Sequence, residues 1–526
     1  MKRYVIYILL MLVTQTNSLV AQEKKSLLEG IGYSVSLEGS SSIGDNTPLW
    51  LNANKYGLSS LEKQNGYLRV AVQRPLSLDS TRRFGLGYCA DVAGAYHYTS
   101  HFVVQQAYVE GRWLKGVLTI GSKEFPMELK NQKLSSGSQT LGINARPVPQ
   151  VRLALPDYWT IPGTRGWVSL KGHIAYGKTT DDNWQVDFTN RNSKYTQNTL
   201  YHSKAGYIKI GGGKHLNPVS FEFGVEMAAQ FGGTSYNVNG EGGKYTEIKN
   251  PSGLKAFWDA FVPGGADVTE GKYQNVSGNQ LGSWVARLNL DYDTWYLGVY
   301  ADHFFEDHSA MFFLDYDGYG DGKDWNTKKD SKYLLYSLKD MMLGAEFRLK
   351  NSRWINNIVV EYLYSKYQSG PIYHDHNENI SDHIGGNDNY YNHYIFTGWQ
   401  HWGQVMGNPL YMSPIYNTDG TIEVKNNRLY AFHLGISGNP IAGLNYRMLA
   451  TYQKGFGRYV DPYVNPRENV SMMAEATYSF ADRSKLKGWS LRAAYGMDMG
   501  KLLGDNYGFQ LTISKTGLFN LKKKKK

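Results

Sequence analysis

Short segments that alternate apolar and polar residues recur from Ile31 to Ile513, and this period of two limits the chain to an extended, two-faced architecture. Between Val219 and Met227, the residues Val219, Phe221, Phe223, Val225 and Met227 fall on one face, and Ser220, Glu222, Gly224 and Glu226 on the other. The same pattern runs through Trp284 to Tyr292, Leu343 to Leu349 and Met472 to Phe480. Glu222, Arg287, Glu346, Arg348 and Glu475 sit on the polar faces. Charges there would be costly in the core of a β-sandwich. They are tolerated in the lumen of a barrel whose outer face meets lipid.

The alternation predicts an all-β transmembrane antiparallel barrel of about eighteen strands. Their expected starts are Ile31, Tyr67, Phe84, Phe102, Val117, Pro149, Val168, Tyr207, Val219, Trp284, Trp295, Leu343, Trp354, Tyr430, Tyr446, Met472, Trp489 and Phe509. Connections alternate in length. Asp293 to Thr294, Asn351 to Arg353, Ser437 to Gly443 and Ala481 to Lys487 are short. Ala228 to Ser283, His303 to Met342, Ser365 to Leu429 and Gly455 to Val470 are long. Short periplasmic turns and long outside loops are the habit of outer-membrane barrels, and an even strand count returns both termini to the periplasm. No Pro/Ser-rich linker divides the 526 residues, so one barrel spanning 22–526 is expected in place of several small domains. The 41 tyrosines suit aromatic girdles at two membrane interfaces.

The start of the chain reads as an export signal over residues 1–21. Lys2 and Arg3 precede an apolar stretch from Val5 to Val13, and cleavage is expected near Ala21 or Gln22. That stretch is too short for a membrane-spanning helix. Cys89 is the single cysteine, so no internal disulfide forms, and a quiet place in a strand is expected. Of the net charge of +10, two positive charges lie in the signal and five in Lys522 to Lys526, which leaves +3. Neither this balance nor any basic-aromatic module points to nucleic acid.

Two stretches depart from the strand pattern. Pro48 to Gly57, with Leu49, Trp50 and Tyr56, allows a short helix around Leu49 to Leu61. Leu134 to Pro149 is rich in turn formers (Ser135, Ser136, Gly137) and ends in Asn144-Ala145-Arg146-Pro147-Val148-Pro149. With the signal and the barrel, these two elements resemble the capsule assembly Wzi family of Gram-negative outer membranes. The resemblance implies an eighteen-stranded barrel with some helical structure near its N-terminal part. It further implies a lectin-like protein that attaches or organises capsular polysaccharide at the cell surface. It carries no ligand residue over to a position here, and a substantial helical bundle would have no room in this sequence.

Candidate binding residues concentrate between Ser365 and Leu429. Tyr373, Tyr390, Tyr391, His393, Trp399 and Trp402 stand among Asn, Asp, Gln and His side chains. Flat rings stack on the apolar faces of sugars while such polar groups bond the hydroxyls, so these six are the expected polysaccharide contacts. The alternative is that the rings pack the loop against itself. His374, His376, His383, His393 and His401 also raise a metal reading, set against ordinary surface histidines because no His-Glu-x-x-His spacing occurs. Asp315 to Asp324 fails the EF-hand pattern, since Tyr319 and Lys328 occupy ligand positions, and a solvated Gly-Asp turn is expected. Gly211 to Gly213 lacks the following Lys-Ser/Thr of a phosphate loop and reads as a periplasmic turn. No catalytic constellation, cofactor or enzyme activity is expected. The partners are surface polysaccharide and outer-membrane lipid. A passive diffusion porin is the competing reading, consistent with lumen charges at Arg287, Asp291, Arg348, Arg447 and Arg492, and an outer-membrane hydrolase is a third.

Overall fold

A computed structural model describes residues 29–79, 83–212, 215–239, 245–262, 278–306, 314–315, 322–327, 334–335, 340–368 and 388–519. Eighteen antiparallel strands form one closed sheet. In chain order they are β1 (Gly32–Ile43), β2 (Gln64–Arg74), β3 (Phe84–Tyr96), β4 (Phe102–Trp113), β5 (Gly116–Ser122), β6 (Gln150–Thr160), β7 (Val168–Lys178), β8 (Leu200–Gly212) and β9 (His215–Phe231). The second half comprises β10 (Asn279–Asp291), β11 (Trp295–Phe305), β12 (Met341–Leu349), β13 (Asn357–Tyr364), β14 (Leu429–Gly438), β15 (Leu444–Gly457), β16 (Pro462–Ser479), β17 (Trp489–Gly500) and β18 (Asn506–Leu518). Each strand pairs with its neighbour in sequence. The ring closes where β1 meets β18, with Leu37 opposite Ile513. Closure leaves no strand edge unpaired, which a barrel in lipid requires.

All eighteen expected strands are present, and the starts at Phe84, Phe102, Val168, Trp295 and Trp489 coincide with the observed ones. The largest displacement is β16, expected at Met472 and found from Pro462. The long loop expected from Gly455 to Val470 is therefore a correction: only 458–461 turns, and Gly455 faces Arg467 within the ladder. Its polar sequence hides the strand, because these residues extend past the barrel's apolar zone and need no oily face; Val464 is 98% exposed.

The alternation acts as expected in β18. Phe509, Leu511 and Ile513 face outward, whereas Gln510 and Thr512 are buried inside. Outward apolar residues continue around the wall at Leu37, Leu68, Val109, Ile120, Leu153 and Phe432, forming a belt of the kind that lipid covers. Exposed tryptophans mark the short-turn end of that belt. Trp113, Trp159, Trp167, Trp354 and Trp489 all lie at or beside the turns on that rim. Tyr96, Phe102 and Tyr507 occupy the opposite rim. The amphipathic rings of such girdles favour membrane–water interfaces. Cys89 is free and buried in β3.

The short helix expected around Leu49 to Leu61 is shorter than the sequence suggests, covering only Leu49–Asn52. Positive φ at Asn54, Tyr56 and Gly57 ends it. At Gly57 a Cβ would lie 2.3 Å from the backbone nitrogen of Arg146, so only glycine permits this approach. Two further helices, Trp184–Thr189 and Leu254–Phe261, lie in the connections and were not anticipated.

Candidate functional site

Three segments from the long-loop rim fold into the barrel and fill its lumen: 44–63, 123–149 and 388–428. The inward carboxylates of the wall hold them there. The backbone N–H of Ser136 donates to Glu361 Oε2 at 2.7 Å, and the Ser135 hydroxyl to Oε1 at 2.5 Å. Asn131 Nδ2 donates to Glu346 Oε1 at 2.8 Å, and Ser138 Oγ to Glu226 Oε2 at 3.3 Å. Lys130 Nζ reaches Asp302 Oδ2 at 2.6 Å, and the Gln139 N–H donates to the same oxygen at 3.1 Å. The small residues from Ser135 to Ser138 thus present backbone and hydroxyl donors at close range to the charged inner wall. Leu49 N–H donates to Asp498 Oδ2 at 3.0 Å, and the Trp50 indole to Thr451 Oγ1 at 3.1 Å, which docks the N-terminal segment against β15 and β17.

The lumen arginines singled out in the sequence are likewise committed. Arg287 pairs with Glu346 at 2.5 Å, Arg447 with Glu475 at 2.9 Å and Arg492 with Glu38 at 2.8 Å. Arg348 also reaches Glu346, at 2.7 Å, and Asp291 pairs with Lys350 at 2.7 Å near the short-turn rim. The wet face read from the sequence is a docking surface for the plug more than a water-filled wall.

Among the expected sugar contacts, Tyr373 lies outside the described residues, as do His374, His376 and His383. Tyr390, Tyr391 and Trp399 are no more than 1% exposed, and Trp402 is 7% exposed. Tyr390 donates to Asp340 Oδ2 at 2.9 Å, and Tyr391 donates to the Gln139 carbonyl while accepting from Asn408 N–H at 3.0 Å. Both meet Phe304 edge to face, and Tyr391 also meets Tyr411 at 4.4 Å. Burial pushes the Tyr390, Tyr391 and Tyr411 phenols well above their ordinary range. The Trp399 indole donates to Thr140 O at 2.9 Å, and its ring stacks on Tyr201 with centroids 5.8 Å apart. His393 Nδ1 accepts from the backbone N–H groups of Ile395 and Phe396. The sequence reading placed this loop on the surface as a platform, but residues 388–428 turn inward and their rings form the core of the plug. In this geometry the faces of Tyr390 and Tyr391 are covered by protein, and Trp399 borders a small cavity beside Tyr201. Tyr394 is the exposed ring of the group, at 60%.

His401 is buried and neutral. Its Nδ1 donates to Arg146 O at 2.7 Å and its Nε2 accepts the Thr180 N–H at 3.1 Å. Desolvation pushes it down to about 4. Among the described residues, no group of three or more ligating side chains could hold a metal ion. Of the stretch from Asp315 to Asp324, residues 316–321 lie outside the described ones.

Between the plug and the wall at β6–β8, near the long-loop rim, lies a cavity of about 90 Å³. Arg146, Gln150, Arg152, Tyr201 and Trp399 line it. The Arg146 guanidinium rests 3.9 Å from the Trp402 ring centroid, and that of Arg152 4.0 Å from Phe125. Burial lowers Arg146 to about 10. Sequence reading missed Lys130, Arg146, Arg152 and Asp302. The one available signal was inward polarity at Arg152 and Asp302, which does not distinguish a packed wall from a wet one.

No protein-family description and no curated protein matches this sequence. Among solved structures, the chain is similar to Wzi from Escherichia coli, described as an outer-membrane protein involved in group 1 capsule assembly and a carbohydrate-binding β-barrel. Identity is 13%, the TM-score is 0.54, and the match covers 91% of this chain and 83% of that one. This likeness establishes a shared barrel fold. Two Pseudomonas aeruginosa structures also match, OccD3 (OpdP) and OprD. OccD3 gives 9% identity, a TM-score of 0.43 and coverage of 94% and 93%. OprD gives 9% identity, a TM-score of 0.42 and coverage of 96% and 100%.

Proposed function

We propose that this protein is exported by its first 21 residues, spans the outer membrane of a Gram-negative cell as a single barrel, and binds and helps attach or organise capsular or other surface polysaccharide. The observation that carries the reading is the filled lumen. An empty barrel of this strand number encloses an aqueous channel. Here three folded segments occupy that space, and 123–149 is bonded to the inner carboxylates Glu226, Asp302, Glu346 and Glu361. A barrel closed in this way works through its rim and loops. The shared fold with a carbohydrate-binding barrel and the polar, aromatic character of the long-loop side support the same reading. The filled lumen weighs against passive diffusion.

Deleting the gene and staining for cell-associated capsule tests this function. Polymer shed into the medium is the expected result, reversed by supplying the gene in trans. An unchanged capsule, together with high single-channel conductance of the purified barrel, would overturn it in favour of a diffusion pore.

A further inference from the structure

Four charged side chains line the cavity between plug and wall, and only two of them are neutralised. Lys123 pairs with Glu110, and Glu128 pairs with Lys171 at 2.5 Å. Arg146 and Arg152 remain, with no carboxylate bonded to either among the described residues. Arg146 is 6% exposed; among the described residues its one side-chain hydrogen bond is a long contact of 3.5 Å from Nη2 to Thr99 Oγ1. Nε of both arginines is buried without a partner, and so is Oε1 of Gln150, a residue 8% exposed. Gln150 and Arg152 are two apart on β6, so both face inward.

Ring faces and, for Arg152, the more distant charges of Glu128 and Glu226 offset part of the cost of desolvating these groups, but neither guanidinium has a carboxylate in hydrogen-bond reach among the described residues, and a ligand carboxylate would supply that partner. Guanidinium N–H groups diverge in a planar fork that matches the two oxygens of a carboxylate. The rest of the lining extends the match. The stacked rings of Trp399 and Tyr201 border the same space and offer an apolar surface beside the cations. The Gln150 amide supplies both a donor and an acceptor suited to a hydroxyl. Cation, ring and amide together fit a sugar that carries an acid group. At about 90 Å³ the cavity admits the acidic end of one such residue and not a length of polymer.

We infer that this cavity is a binding site for the carboxylate of an acidic sugar, with Arg146 and Arg152 as its charge partners. The inference deepens the polysaccharide reading by naming the chemistry of the unit recognised. It rests on that reading for the source of the sugar.

The test uses full-length barrel in detergent, titrated with glucuronate, glucose and inorganic phosphate and followed by thermal midpoint and tryptophan fluorescence. Glucuronate should bind and raise the midpoint, whereas glucose should do neither. Arg146→Gln and Arg152→Gln should each weaken glucuronate roughly tenfold or more. Arg152→Lys, which keeps the charge but not the fork, should fall between parent and Arg152→Gln. Gln150→Glu places a carboxylate inside the cavity; it should raise the midpoint of the unliganded barrel and abolish glucuronate binding. This variant adds a partner instead of removing one, so a folding failure does not obscure it. Glucuronate binding no better than glucose, binding unchanged in both arginine variants, phosphate binding without glucuronate, or a lowered midpoint in Gln150→Glu would each overturn the inference. Retention of acidic polymer by cells is scored separately. Polymer retained by the arginine variants would sink this site and leave the broader function standing. Glucuronate bound by a parent that retains no polymer would do the reverse.

Discussion

Lys130 and Asp302 form a 2.6 Å ion pair whose two side chains are 1% and 0% exposed, joining the plug to β11. The pair also organises its surroundings, since Gln139 donates from its backbone to the Asp302 carboxylate and from its side chain to the Asp302 carbonyl at 2.6 Å. Lys130→Met should therefore destabilise the plug by about 3–5 kcal/mol, because the buried Asp302 carboxylate loses its charge partner. Lys130→Met with Asp302→Leu should recover much of the loss. Hydrogen exchange over 123–149 measures both. A single variant as protected as the parent would refute the anchoring role.

Trp399 and Trp402 should respond differently to truncation. Trp399→Ala removes a fully buried ring and its hydrogen bond to Thr140 and should cost about 3–5 kcal/mol of plug stability. Trp402 sits at φ +56°, with an indole nitrogen that lacks a partner. Its truncation leaves the backbone strain in place and forfeits ring packing and the Arg146 stacking but no hydrogen bond, so the loss should be smaller. Limited proteolysis of the two variants in detergent ranks them. Polymer retention lost in Trp399→Ala while the plug stays protected would instead mark that ring as a glycan contact.

Acid should loosen the plug through His401. Its folded value of about 4 lies below the ordinary 6.5, so the opened state takes up a proton first. The stabilisation is complete above about pH 6.5 and is lost as pH falls towards 4, by about 3 kcal/mol. Protonation removes the acceptor that holds the Thr180 N–H. Protection factors over 388–428, which correct for the slowing of intrinsic exchange in acid, should fall between pH 6 and pH 4 in the parent. His401→Gln should flatten that dependence, and an equally steep profile in the variant would exclude His401 as its source.

Replacing 388–428 with a short Gly/Ser linker should convert a poorly conducting barrel into a conducting one, read as single-channel current in planar bilayers. The strands themselves should persist, because their closed ladder does not pass through this segment. A parent that already conducts like an open barrel would contradict the filled lumen.

The barrel was legible in the chain because strand alternation is a local property. Whether Phe509 and Leu511 face lipid follows from their spacing and from the requirement that a closed sheet have one oily side. Strand number and the two rims followed from the same pattern and from loop length. The plug left no such trace. Its contacts join residues far apart, as when Trp399 bonds Thr140 or Gln404 bonds Ser59, and its irregular backbone carries no period to read. A tryptophan in a long polar loop has the same local sequence whether it meets a sugar or a carbonyl across the lumen. Burial of Tyr390, Tyr391 and Trp399 depends on the barrel closing at a diameter that these segments can fill, with carboxylates already placed inside to receive them. Local order is written in neighbouring residues. The occupied lumen exists only once distant segments share one enclosed volume.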